Sequence, residues 1–179
     1  MNVYVLRLGH RIARDKRIST HCGLVARAFG AAGIIYSGER DSKLIESIEH
    51  VCKIWGNRFD VSYERNWKKV VERFSKHGIV VHLTMYGLPL YDMLGEIKRK
   101  GKDILVVVGG EKVPAELYKI ATYNVSIGTQ PHSEIAAIAI FLHELFEGKE
   151  LTKEFEDAKI KIVPQKSGKK TIKINKSLS

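Results

Sequence analysis

ILVVVGG at residues 104–110 and YNVSIGTQPHSEIAAIAIF at residues 123–141 are two apolar runs, each with a strand-like stretch ending in glycine; EKVP (111–114) follows the first. Asp103–Val108 is continuous and β-branched, the pattern of a strand covered on both faces near the centre of a sheet. The second strand is shorter, Asn124–Ile127, and opens through GTQPHSE into a helix over Ser133–Phe146 that is apolar almost all round. Such a helix is buried on several sides, in a core or a subunit interface. Glycine lets backbone approach a ligand closely. Two neighbouring strands that end this way raise the question of what their loops hold.

The same alternation continues on either side. Strands are predicted over Asn2–Leu8, Ile34–Ser37, Phe59–Tyr63 and Ile79–Met85. Helices are predicted over Thr20–Ala32, from an Asp41 or Ser42 cap to Gly56, from Asn66 to Gly78, over Tyr91–Lys100, and over Pro114–Ile120. Six strands separated by helices give an α/β fold: a mainly parallel sheet with helices on both faces. Ligands bind such sheets where loops leave the carboxyl ends of the strands. After Gly148, KIKIVP and KTIKIN flank QKSGK and read as a β-hairpin. Residues 1–148 thus form the α/β domain, and residues 149–179 a basic extension carrying the hairpin.

At 179 residues, 44% apolar and 28% charged, the chain suits one globular domain with a small appendage. No apolar run reaches membrane-spanning length. In MNVYVLRLGHRIARDKR the charges follow the apolar run, the reverse of a signal peptide, and a cytoplasmic setting is expected. Only Cys22 and Cys52 are present, without a CxxC spacing, so no disulfide framework and no metal site is expected.

Thirty Lys plus Arg against twenty Asp plus Glu leave a net charge of +10, which suits a polyanionic partner. Seven lysines and no acid lie between Ala158 and Ser179. Five arginines and one lysine lie between Arg7 and Arg27, against Asp15 alone. The two zones either form one phosphate-tracking surface, if the fold joins them, or only solubilise the chain. Arg7, Arg11, Arg14 and Arg17 recur between the first strand and first helix, framed by His10 and His21. The planar fork of arginine suits bidentate phosphate contact. The bland reading is a solvated loop with an Arg–Asp15 pair.

The nucleotide fingerprints are missing: the position after the first strand reads RLGHR, not GxGxxG, and there is no GxxxxGK[ST]. Gly109 and Gly110 are compatible with a simple tight turn. GTQPHSE is denser, with Gln130, His132, Ser133 and Glu134 at a helix start whose free N–H groups attract acceptors. Capping by Thr129 or Ser133 explains those two residues but not the whole string.

RLGHRIARDKRISTH, GLVARAFGAAGI, VVVGGEKVP and VSIGTQPHSEIAAIAIFL together resemble the archaeal tRNA 2′-O-ribose methyltransferases that modify cytidine 56 in the T-loop, of the SPOUT superfamily. The resemblance covers nearly the whole chain. It implies S-adenosylmethionine as cofactor, tRNA as substrate, a C-terminal trefoil knot and a homodimer. Carried over by motif, the cofactor loops are Leu83, then Gly109, Gly110, Glu111, Lys112 and Val113, then Ile127, Gly128, Thr129, Gln130, Pro131, His132, Ser133 and Glu134. The same resemblance implies Arg17 as the catalytic arginine, with Arg14 and His21 beside it. Arg7, Arg11, Lys169 and Lys170 are expected on the RNA. Related ribose methyltransferases carry an asparagine before that arginine, and RDKRISTHCGLVARAFG departs from the pattern. A non-catalytic RNA-binding protein and a Rossmann-like enzyme of small-molecule metabolism are the alternatives; the missing phosphate fingerprint and the basic tail speak against the second.

Overall fold

The structure, a computed structural model, describes residues 1–110 and 112–174. The first half runs β1 (Val3–His10), α1 (Ile12–Ala28), β2 (Gly33–Gly38), α2 (Ser42–Trp55), β3 (Asp60–Tyr63) and α3 (Trp67–Ser75). The second runs β4 (Ile79–Pro89), α4 (Leu90–Arg99), β5 (Ile104–Gly109), α5 (Ala115–Ile120), β6 (Tyr123–Ser126) and α6 (Glu134–Phe146). The six strands form one parallel sheet in the order β3-β2-β1-β5-β4-β6. β5 lies between β1 and β4, so β4 separates it from β6 and the two glycine-ended strands are not the direct neighbours the sequence suggested; Ile104 to Val108 are all buried, as the β-branched run requires.

Side chains alternate across the sheet and so divide the core. Val81, Val106 and Val108 face α1, α2, α4 and α6 through Ala26, Ile48, Ile97 and Phe141. Val80, Leu105 and Val107 face α3 and α5 through Val70, Val71 and Leu117. The helices start on side-chain caps. The Asp41 carboxylate accepts from Leu44 N at 3.1 Å, Asn66 Oδ1 from Lys69 N at 3.3 Å, and Ser133 Oγ from Ile135 N at 3.1 Å. Asp41 rather than Ser42 is therefore the cap of α2.

Three segments differ from the sequence expectation. Helix α1 spans Ile12–Ala28, not Thr20–Ala32, so Arg14 and Arg17 are helical and not in a loop. Its first turn is tied by Arg11, whose Nε donates to Asp15 Oδ2 at 2.9 Å, and by Glu39, which accepts from Ile12 N at 2.8 Å. At the other end Gly33 belongs to β2: a Cβ there would stand 2.6 Å from the Asp60 carbonyl oxygen, so only glycine fits beside β3.

β4 runs on to Pro89 instead of ending at Met85. Both Leu83 and Leu88 pair with Val125, so residues 84–87 step out around β6 and return. Gly87 makes this close passage possible, since a Cβ there would lie 2.5 Å from Asn124 C and Val125 N. From β6 the chain turns back to lay α6 against α1, α4 and β5. This path is compatible with the expected trefoil knot.

The hairpin forms as expected: β7 (Ile160–Ile162) and β8 (Thr171–Lys173) are antiparallel, with Ile160 opposite Lys173. It is anchored at the C-terminal end of α2, where Lys159 N donates to Ile54 O at 2.9 Å and Asn57 N to Glu156 O at 2.7 Å. Lys176 of the basic tail lies outside the described residues. Among the described residues no helix is long and apolar enough to cross a membrane.

Candidate cofactor and RNA site

The bends after β4, β5 and β6 meet at the carboxyl end of the sheet around a cleft of about 550 Å³. Of the residues that the resemblance named for the cofactor, Leu83, Gly109, Gly110, Val113, Ile127, Gln130, Pro131, His132, Ser133 and Glu134 border it. Leu83, Val108, Val113 and Ile127 give the cleft an apolar wall. Gly110 leaves the space open: the nearest atoms to a Cβ there would be Glu134 Oε1 at 3.8 Å and Arg7 Nη2 at 3.9 Å. His132 Nδ1 donates to the Ser133 carbonyl at 3.1 Å, which orients its exposed ring. Lys112 is exposed, and Gly128 and Thr129 turn away from the wall, Gly128 with φ of +142°. Glu111 lies outside the described residues.

The arginines divide by burial. Arg7 is only 2% exposed; its Nη1 donates to the Leu8 carbonyl and its Nη2 stands 3.2 Å from Glu134 Oε1. The expectation of Arg7 on the RNA is corrected on this ground, because burial commits its charge to the start of α6. Arg11 and Arg14 form the polar rim on α1. Arg11 is paired with Asp15, and that bond, more than any other cause, holds the Asp15 carboxyl below its ordinary range. Arg17 and His21 are exposed further along α1 and do not border the cleft of their own chain. Within one chain, then, Arg14 borders the cleft and Arg17 does not.

Lys169 and Lys170 are exposed on the extension, whose base is anchored at the C-terminal end of α2. The end of α1 marks the distance: Arg27 donates to Gly56 O at 2.6 Å and stacks 4.8 Å from the Phe155 ring. Arg11 and Arg27 are separated by about 24 Å of helix. The base of the extension thus lies beside Arg27, at the far end of α1 from the cleft.

Sequence reading missed a polar group in the same wall. His82, Thr84 and Tyr118 border the cleft beneath the loops. His82 is completely buried, with Nδ1 2.8 Å from Asn124 Oδ1. Burial pulls its pKa below 6.5, against a smaller upward pull from Asn124. Thr84 and Tyr118 share a hydroxyl–hydroxyl bond of 3.2 Å. The signal was present: one polar residue interrupts the apolar run IVVHL at 79–83.

A parallel sheet with a cleft built from three bends at its carboxyl end is a fold this chain shares with SpoU methyltransferases. The SpoU methyltransferase AviRb from Streptomyces viridochromogenes, solved with AdoMet, superposes with a TM-score of 0.61 at 16% identity, over 83% of this chain and 58% of that one. The chain belongs to the family described as tRNA ribose 2′-O-methyltransferase, aTrm56, whose model matches residues 55–172. The tRNA (cytidine(56)-2′-O)-methyltransferase of Methanocaldococcus jannaschii is 57% identical over 175 residues, 97% of each chain. Its counterpart from Pyrococcus horikoshii is 55% identical over 96% of this chain and 85% of its own.

The residues present fit an adenosyl cofactor. The apolar wall suits a purine, the open Gly110 admits a ligand against backbone, and His82 Nε2 is a buried polar atom without a partner among the described residues.

Proposed function

We propose that this protein transfers a methyl group from S-adenosylmethionine to the ribose 2′-hydroxyl of cytidine 56 in the T-loop of tRNA. The observation that carries the reading is the meeting of Leu83, of Gly109, Gly110 and Val113, and of Ile127 and Gln130 to Glu134 around one cleft with an apolar wall and an arginine rim. The bound cofactor supplies a methyl group already activated on a sulfonium. The chain's own part is to hold and align. Backbone of the glycine-ended loops and the Leu83, Val113 and Ile127 side chains hold the adenosyl end and exclude water from it. Arg14, at the rim, faces the entering ribose, where its charge stabilises the oxygen as the hydroxyl loses its proton. Arg11, Arg17 and His21 lie beside it on α1 and bind adjacent phosphate or ribose.

The same reading includes a homodimer. Ile140 of α6 is 43% exposed and Tyr91, which donates to Glu144 of the same helix at 3.2 Å, is 74% exposed; Leu88 and Tyr86, on the bend before α4, are 58% and 77% exposed. A second copy laid on this face buries them and brings a partner's α1 arginines within reach of the cleft. The reading also divides the chain at Gly148, leaving residues 149–179 as an RNA-binding extension in which Lys169 and Lys170 contact phosphate, and sets the reaction in the cytoplasm.

The test is incubation with methyl-labelled cofactor and unmodified tRNA. Label on the ribose of position 56 is expected; label on a base refutes the assignment. Absence of cofactor binding in millimolar titration refutes the enzyme itself.

A further inference from the structure

His82 lies on β4 with none of its surface exposed, and its Nε2 has no hydrogen-bond partner among the described residues. His82 is nevertheless among the residues that border the cleft. The tautomer follows from its neighbours. Asn124 Nδ2 donates to the Tyr118 carbonyl at 2.8 Å, which turns Asn124 Oδ1 toward His82 Nδ1, also at 2.8 Å. An amide oxygen only accepts, so Nδ1 carries the proton. Nε2 is then a bare acceptor on a neutral ring, and the Tyr118 ring, edge-on with centroids 4.7 Å apart, fixes its direction. Buried acceptors without donors are rare in native proteins, and each calls for an explanation; beside a cleft, a donor on the bound ligand supplies one.

We propose that His82 Nε2 accepts a hydrogen bond from an uncharged N–H or O–H of the cofactor's adenosyl group and so selects that nucleoside end. The inference rests on the proposed function. The donor is uncharged because Leu83, Val113 and Tyr118 line the cleft here, and both carboxylates that border it, Glu134 and Asp15, are already paired, with Arg7 and Arg11. The charged methionine end belongs at the polar rim. The adenine amine and the ribose hydroxyls share the required chemistry.

The experiment uses the whole chain with ¹⁵N-labelled histidine, titrated with S-adenosylhomocysteine. Saturation is expected to move the His82 Nε2 resonance from the free-acceptor position toward the hydrogen-bonded one, while free methionine leaves it in place. Calorimetry then compares S-adenosylhomocysteine with analogues lacking either the adenine amine or a ribose hydroxyl. One of them is expected to bind the native protein about tenfold more weakly, from the loss of one hydrogen bond, and to lose nothing further in His82→Phe. Saturable binding with an unmoved Nε2 resonance overturns the proposal and leaves the enzyme reading standing. So does an analogue penalty that persists in His82→Phe. If S-adenosylhomocysteine does not bind at all, both fall. Where His82→Phe fails to fold, the resonance of the native protein decides.

Discussion

Arg7 on β1 and Glu134 in the first turn of α6 stand 3.2 Å apart across 127 residues of sequence. The guanidinium side chain is 2% exposed and the carboxylate 17%, so the pair joins the first strand to the last helix beneath the cleft. It fixes where the loop after β6 ends, and with it the wall that holds the cofactor. Breaking a buried pair leaves its partner's charge uncompensated. Glu134→Ala is expected to lower stability by about 3 kcal/mol in urea denaturation, and to weaken S-adenosylmethionine binding. Combining it with Arg7→Met is expected to cost less than the sum of the two single changes; strict additivity would show that the pair is not coupled.

Gly87 and Gly110 separate folding from binding. A methyl at Gly87 runs into the Asn124–Val125 peptide, where both contacts are backbone and cannot yield. Gly87→Ala is expected to cost on the order of 3 kcal/mol, a fall of roughly 10 °C in thermal midpoint. Gly110→Ala meets no atom nearer than 3.8 Å, so the fold is unchanged while the methyl narrows the cleft. Its midpoint without cofactor should match the native protein, and its calorimetric cofactor affinity should fall.

The arginines of α1 make a kinetic prediction. Arg14 borders the cleft and Arg17 does not. Arg14→Ala is expected to lower kcat on the order of 100-fold, the scale for losing one group that stabilises a developing oxyanion, with cofactor affinity kept. Arg17→Ala should fall well short of that loss in the same single-turnover assay. The opposite ranking would assign the catalytic contact to an arginine arriving from the partner subunit.

Burial sets the acid limit of the fold. His82 and His10 both have pKa values drawn below 6.5, first by desolvation. For His10, Asp41 and Asp15 pull upward and Arg7 downward; for His82 the opposing pull comes from Asn124. A histidine whose folded pKa is depressed takes up a proton more readily when unfolded, so stability rises with pH across the interval between the two values. Its contribution is whole above about pH 6.5 and is lost as acid drives protonation. Thermal midpoints recorded from pH 8 to pH 5 should stay level and then fall below that point. A rise on acidification contradicts this account.

Local pattern carried much of this architecture. The β-branched run 104–108 declared the central strand, Asp41, Asn66 and Ser133 marked helix starts, and the glycine after each of two strands marked the loops that line the cleft. The start of α1 was less legible, because its first turn is held by Glu39 from beyond β2 as well as by its own Asp15. The burial of Arg7 was hidden for the same reason: its partner lies at the far end of the chain.

Sequence by itself determined the order of strands and helices, the basic balance and the segments that carry the chemistry, since these depend on side-chain period, backbone freedom and charge along a few residues. Only the tertiary structure decided that β6 lies beside β4 inside the bend at Gly87, that the basic extension is anchored beside Arg27 at the far end of α1, and that His82, bordering the cleft, keeps a nitrogen without a partner among the described residues. Those outcomes arise from contacts between residues distant in the chain, whose geometry exists only once the sheet has closed.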